Sequence, residues 1–151
     1  MWGGFVKSCF FIGHREATMD LYPQLFEAVV RHVQCLGVKE FVVGHYGGFD
    51  DLAAKAVLEA KSFYPDIFLT MLIPYHPTLR PVKLPEGFNN SFYPPNMEFV
   101  PKRLAIVCAN RYMIEHTDYL IAYAWHPASN ARDLVEYARK KGIVITELSR
   151  P

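Results

Sequence analysis

The sequence predicts an α/β fold: an open, doubly wound, mainly parallel five-stranded sheet flanked by helices. Three observations carry this. Short, nearly continuous apolar runs recur along the chain, as strands buried on both faces require. Segments of helical period separate them, and strands alternating with helices imply parallel pairing through right-handed crossovers. Glycine- and histidine-containing turns follow successive apolar runs, at the strand ends where such sheets bind ligands.

The first strand is expected over Phe5–Ile12, ending at Gly13. Residues 20–36 place Leu21, Leu25, Val29, Val33 and Leu36 at helical spacing, and Gly37 is a stop signal. Glu40–Gly44 reads as a second strand. Asp50–Phe63 is a second helix, with Leu52, Ala53, Ala56, Val57 and Ala60 on its inner face, and Ile67–Ile73 is a third strand closed by Pro74. The pattern breaks from Tyr75 to Pro101, which holds six of the eleven prolines and many aromatics, so this stretch is read as a long loop. A helix over Leu104–His116, a strand over Asp118–Ala124, a helix over Asn130–Lys141 and a strand over Ile143–Thr146 complete the chain. The expected layout is one Rossmann-like domain over residues 1–151. Its strand order is 3-2-1-4-5 in these expected strands, with the ligand crevice between the first and fourth.

Bulk properties agree with a globular chain. At 151 residues one core can bury about 70% of the unfolded surface. Hydrophobic residues make up 51% and charged residues 21%, which argues against disorder. The net charge of +1 offers no strong field for nucleic acid or an acidic membrane. Arg139, Lys140 and Lys141 read as cations of a last helical turn. Cys9, Cys35 and Cys108 have no CxxC spacing and sit in apolar stretches, so buried free thiols in a reducing compartment are expected. The stretch from Met1 into the Lys7-containing apolar run is neither signal-like nor long enough to span a bilayer. A cytoplasmic location is expected.

Four segments converge on the strand ends: Gly13–Glu16, Gly44–Asp50, Pro74–His76 and Trp125–Asn130. Four of the six histidines, His14, His45, His76 and His126, lie in them; His32 and His116 fall in helices, as structural or exposed residues. Gly44, Gly47 and Gly48 stand between a strand and a helix N-terminus. Their backbone either approaches a phosphate or makes a tight turn. Asp50 and Asp51 open that helix. One of them caps it, and the other is free to accept ribose hydroxyls or act as a base. Arg15 is either a bidentate phosphate clamp or a surface partner of Glu16. Asn110 and Arg111 point either to the same edge or to solvent. No metal-ligand spacing such as HExxH occurs, so neither a metal nor another cofactor is expected. The aromatics of the 75–101 loop (Tyr75, Phe88, Phe92, Tyr93, Phe99) suit a lid that stacks on a base or an interface between copies.

Three motifs together resemble one family. They are Phe11-Ile12-Gly13-His14-Arg15, then Gly47-Gly48-Phe49-Asp50, and then Asn110-Arg111-Tyr112-Met113 followed by Thr117-Asp118-Tyr119-Leu120-Ile121. In this order they resemble the YpsA-like branch of the SLOG superfamily. That superfamily also holds the LOG phosphoribohydrolases and the DprA-type DNA-processing proteins. The resemblance implies a Rossmann-like fold that binds nucleotides or nucleotide-derived ligands. For the LOG enzymes it implies hydrolysis of the N-glycosidic bond of a nucleoside monophosphate. The catalytic groups would be an arginine, matched by Arg111, and a glutamate in a Pro-Gly-Gly-x-Gly-Thr-x-x-Glu loop. Here that loop reads Pro127-Ala128-Ser129-Asn130-Ala131-Arg132-Asp133-Leu134-Val135, without its glycines and with Val135 at the glutamate position. Glu136 is one position on, rotated by about 100° around a helix. Ser129 and Asn130 can still cap the helix and meet a phosphate.

The expectation is therefore binding or sensing of a phosphorylated, nucleotide-derived small molecule at Gly13, His14, Arg15, Gly44, His45, Gly47, Gly48, Asp50, Asn110, Arg111, His126, Ser129 and Asn130. The alternative is a nucleotide N-glycosidase using Asp50, Glu16 and Arg111. A DNA-handling role ranks third: with so small a net charge and no basic stripe, nucleic acid is not expected as a partner, nor is a membrane. A homodimer would suit the aromatic loop.

Overall fold

The computed structural model describes residues 6–151. The expected strand start at Phe5 and the N-terminal stretch before it lie outside the described residues. The strands are β1 (Lys7–Gly13), β2 (Val38–Val43), β3 (Phe68–Leu72), β4 (Asn90–Phe92), β5 (Tyr119–Tyr123) and β6 (Val144–Glu147). All pair in parallel, in the order β4-β3-β2-β1-β5-β6. The helices are α1 (Tyr22–Gln34), α2 (Gly48–Lys61), α3 (Ala105–His116) and α4 (Asn130–Lys141). The five expected strands hold the expected order, and β4 adds a sixth at the edge.

Why β1 is apolar throughout follows from its position at the centre of the sheet. Cys9 and Phe11 point into a core shared with α1 and α2, where Phe11 packs 6.0 Å from Phe41 and 6.4 Å from Phe49. Phe10 and Ile12 point to the other face, against Leu120 and the inner residues of α3 and α4, Met113 and Val135 among them. Strand period remains 2, but both faces are covered, so no polar alternation shows.

The sixth strand corrects the reading of 75–101 as loop. Asn90–Phe92 pairs with β3 through Thr70↔Asn90 and Leu72↔Phe92. Asn89 locks the entry: its N–H donates to Leu69 O at 2.8 Å, and its Oδ1 accepts from Leu69 N–H at 2.9 Å and Lys61 Nζ at 2.7 Å. Three residues with one large apolar side chain carry no period, so only the neighbouring β3 makes them a strand. The same segment is seated through buried Met97 and through Val100, both packed with the α3–α4 core.

Helix ends follow local chemistry. Ser129 caps α4, its Oγ accepting from Arg132 N–H at 3.1 Å, and Gly142 ends that helix in the left-handed region at φ 80°. A 3₁₀ turn, Met19–Leu21, leads into α1, and Pro23 occupies its first turn, where a missing N–H costs nothing. The thiols depart from expectation: Cys9 is buried, Cys108 half-buried and Cys35 exposed, because Cys35 lies just past the last turn of α1. His32 is fully buried, its Nδ1 2.6 Å from Ala28 O, while His116 is exposed. Among the described residues no helix is long and apolar enough to cross a membrane.

The cap at Gly142 gives a direct test, since a Cβ there meets nothing and only backbone strain is added. Gly142→Ala should lower the unfolding free energy by about 1 kcal/mol in urea titrations, with Gly142→Asn costing less.

Candidate functional site

At the carboxyl ends of β1, β2 and β3, beside the reversal of strand order at β1, lies a cavity of about 250 Å³. Gly13 at the end of β1, with His14, Arg15 and Glu16 directly after it, supplies one wall. Gly44, Tyr46 and Asp50 supply the next, with Leu72 and Pro74 beyond them. Ile106, Val107 and Asn110 close it from α3; Ser129, Asn130, Ala131 and Leu134 do so from the start of α4. Of the residues expected from sequence, the cavity brings together Gly13, His14, Arg15, Glu16, Gly44, Asp50, Asn110, Ser129 and Asn130. It does not include His45, Gly47, Gly48, Arg111 or His126.

Gly47 and Gly48 serve a different purpose from a phosphate cradle. Gly48 N–H donates to Arg15 O at 2.8 Å, so the loop after β1 lies on the N-terminus of α2. A Cβ on Gly48 would stand 2.6 Å from Arg15 O and 2.7 Å from Ala17 O. On Gly47, at φ 155°, it would stand 2.7 Å from Arg15 Cγ. Gly13 likewise has no room for a Cβ, because the Phe49 ring is seated against it at 2.2–2.7 Å from that position. These glycines admit protein, not ligand.

Arg111 is directed away by the geometry of α3. Ala109 and Met113 are fully buried, which sets the inner face. Asn110 lines the cavity one step round, while Arg111 stands about 200° from Ala109. It is exposed, with its guanidinium 4.9 Å over the Tyr137 ring of α4. Val135, at the position of the LOG glutamate, is wholly buried, and Glu136 pairs with Arg139 at 3.2 Å and Arg132 at 3.5 Å. Of the three residues named for hydrolysis, only Asp50 and Glu16 reach the cavity.

His14 ties the first loop to the one after β5. Its backbone N–H donates to Tyr123 O at 3.2 Å, and its Nε2 accepts from His126 N–H at 3.2 Å. The ring meets Tyr123 and Trp125 edge-on, both at 5.5 Å. An accepting Nε2 requires the neutral imidazole with its proton on Nδ1. Burial lowers the His14 pKa, and the neighbouring Glu16 and His126 pull it up and down respectively. His126 thus takes part through its backbone, while its Nδ1 accepts from Ala128 N–H at 3.2 Å. Ser129 is also committed: its hydroxyl donates to His126 O at 2.8 Å and accepts from Arg132 N–H.

What remains for a ligand are Arg15, Glu16, Asn110, Asn130 and Asp50. Among the described residues no ion pair uses the Arg15 guanidinium, and no hydrogen bond uses the Asn110 or Asn130 carboxamide. Asp50 Oδ2 accepts from Tyr46 N–H at 3.2 Å. Loss of solvent is the main force on this carboxyl, pushing its pKa up to about 6; the Tyr46 N–H opposes it, Asp51 adds to it, and Arg15 opposes it again. Beyond the cavity wall, Tyr46 meets His45 at 4.2 Å and Tyr75 edge-on at 6.4 Å, and Arg80 lies 3.9 Å over the Tyr75 ring. His45 Nδ1 is buried with no partner among the described residues, and burial lowers its pKa. Sequence reasoning missed Tyr46, Arg80 and the apolar wall of Ile106, Val107 and Leu134; helix phase marks Leu134 as inward, but nothing marks Arg80. Among the described residues no three His, Cys, Asp or Glu side chains gather into a metal-binding group.

No family model matches the sequence, and no curated protein matches it. Solved structures do match its fold. DNA processing protein A from Streptococcus pneumoniae superposes with a TM-score of 0.70 at 16% identity, over 97% of this chain and 51% of that one. DNA processing protein A from Helicobacter pylori, described with a single-stranded DNA binding mode, gives 0.65 at 19% identity, over 96% and 66%. The chain spans about half to two thirds of their lengths. What fold and strand-end cavity define is a Rossmann-like α/β domain. More closely, it shares that fold with DNA processing protein A.

This overturns the exclusion of nucleic acid. A protein of this fold binds single-stranded DNA, so a net charge of +1 does not remove nucleic acid as a partner here. Net charge sums over the whole surface, whereas a strand responds to the local arrangement of cations and rings.

Asp50 supplies a test of the site's electrostatics. A carboxyl with its folded pKa raised above the ordinary 3.8 to about 6 stabilises the fold fully below pH 3.8, and that contribution is lost as pH rises through about 6. Asp50→Asn removes this loss. The variant should match the parent near pH 4 and exceed it by about 1–3 kcal/mol at pH 7.5 in urea unfolding.

Proposed function

We propose that the cavity binds a phosphorylated, nucleotide-type ligand and holds it without turnover. The observation that carries this reading is the meeting, in one cavity, of an unpaired guanidinium (Arg15), a free carboxamide on the first turn of a helix (Asn130) and a desolvated carboxyl (Asp50). In this reading the phosphate lies between Arg15 and the N-terminus of α4, where the helix dipole and a planar cation both favour it. Asp50 faces the ribose hydroxyls. Binding is preferred over hydrolysis because Val135 and Glu136, at and beside the LOG glutamate position, lie in the core and in surface ion pairs. The reading takes residues 1–151 as one cytoplasmic ligand-binding domain, and its place in the YpsA-like branch rests on the three sequence motifs.

A second reading, favoured by the single-stranded DNA binding of the Helicobacter pylori protein, puts a phosphate of a nucleic acid strand at the same place. One titration separates the outcomes. The protein is mixed with AMP, CMP, ADP-ribose, NAD or a short oligothymidylate, and melting temperature and released base are followed. A nucleotide at 100 Kd should stabilise the fold by about 2.7 kcal/mol. Arg15→Gln should weaken that binding about tenfold or more, the size of a lost charged hydrogen bond. Stabilisation by the oligonucleotide alone, weakening steeply with salt, would favour the strand. Base release abolished in Asp50→Asn would mean turnover, the C1′–N bond breaking as the Asp50 carboxyl protonates the departing base and water adds at C1′, returning its proton to Asp50. No shift with any of them would end the ligand reading.

A further inference from the structure

The 75–101 segment walls a second cavity, of about 370 Å³, lined by Tyr75, His76, Tyr93, Met97 and Val100. It shares Pro74 with the first cavity, and Ala105 on its wall directly precedes Ile106 on the wall of the first. Its rings are held in place. Tyr75 carries Arg80 on its face and donates to Lys102 O at 3.3 Å. His76 Nδ1 accepts from Thr78 N–H at 3.1 Å, and its ring meets Tyr93 edge-on at 5.4 Å and 85°. Rigid rings of this kind stack on a planar ligand at small cost in side-chain entropy.

Size connects the two cavities. Small-molecule sites span about 300–1,000 Å³. The first cavity falls short of this, while the two together lie well inside it. The first cavity offers charge and hydrogen bonds; the second offers rings and apolar wall, with Thr78 and Glu98 as acceptors at its rim. That division matches a phosphoribosyl group joined to a nucleobase. We infer that the second cavity is the base subsite, taking an amine-bearing nucleobase over Pro74 against His76 and Tyr93. This rests on the nucleotide reading above, because it needs the phosphoribosyl group in the first cavity.

Calorimetric titration with ribose 5-phosphate and with AMP tests it. The parent protein should bind AMP about tenfold or more tightly than ribose 5-phosphate, the gain expected of one stacked base. Tyr93→Ala and the exposed His76→Ala should each remove most of that gain while leaving ribose 5-phosphate affinity within about twofold. Tyr93→Phe, which keeps the ring, should retain it. AMP binding no tighter than ribose 5-phosphate, or unaltered in both alanine variants, would overturn the base subsite and leave the phosphate reading intact. Failure of the parent to bind either ligand would instead overturn the nucleotide reading itself.

Discussion

The contact between the loop after β1 and the first turn of α2 sets the geometry of everything at this edge of the sheet. Arg15–Ala17 rests on Gly47 and Gly48 at distances no side chain would allow, and Gly48 N–H donates to Arg15 O. Beneath it the Phe49 ring presses on Gly13 and stacks on Tyr123 at 6.2 Å and 22°. Three strand ends are drawn together by the Phe49 ring and three glycines. From there His14 reaches across to the backbone of His126 and so ties in the entry to α4. Arg15 and Asp50 share a cavity because this chain of close contacts leaves their loops no other place.

The same contact reverses the electrostatics expected of a glycine turn. A helix N-terminus with open N–H groups would attract an anion, but at α2 the Gly48 N–H is taken by a carbonyl. Asp50, whose ionisation Arg15 favours only weakly, is then left in a poorly solvated place and holds its proton up to about pH 6. The N-terminal turn of α4 borders the same cavity, with its capping hydroxyl already engaged. Arg15 and the Asp50 carboxyl thus line one small cavity together with the first turn of α4.

The 75–101 segment acts as wall. β4 pairs it to β3, Met97 and Val100 anchor it to the α3–α4 core, and its tyrosines bound the second cavity. Its two outward apolar side chains, Leu79 and Phe99, leave it two-sided: rings inward, exposed carbons outward.

Periodicity made the layers legible. Runs such as Phe10–Ile12 and the inner face Leu52, Ala53, Ala56, Val57 and Ala60 announce strands and helices because burial repeats at fixed chemical intervals, and the order of five strands follows from handed crossovers. Gly13, Arg15, Asp50 and Asn130 were readable as strand-end residues for the same reason. Three-dimensional packing had to decide the rest. Whether Gly47 and Gly48 face a ligand or a neighbouring loop depends on Arg15 and Ala17, more than thirty positions away. Arg111 and Asn110 differ by one step of helix phase, and only the burial of Ala109 and Met113 shows which of them turns to the cavity. β4 exists because β3 offers it an edge. Local pattern reports what a residue can bury; the partner that meets it comes from chain distant in sequence, and at this site those partners set the chemistry.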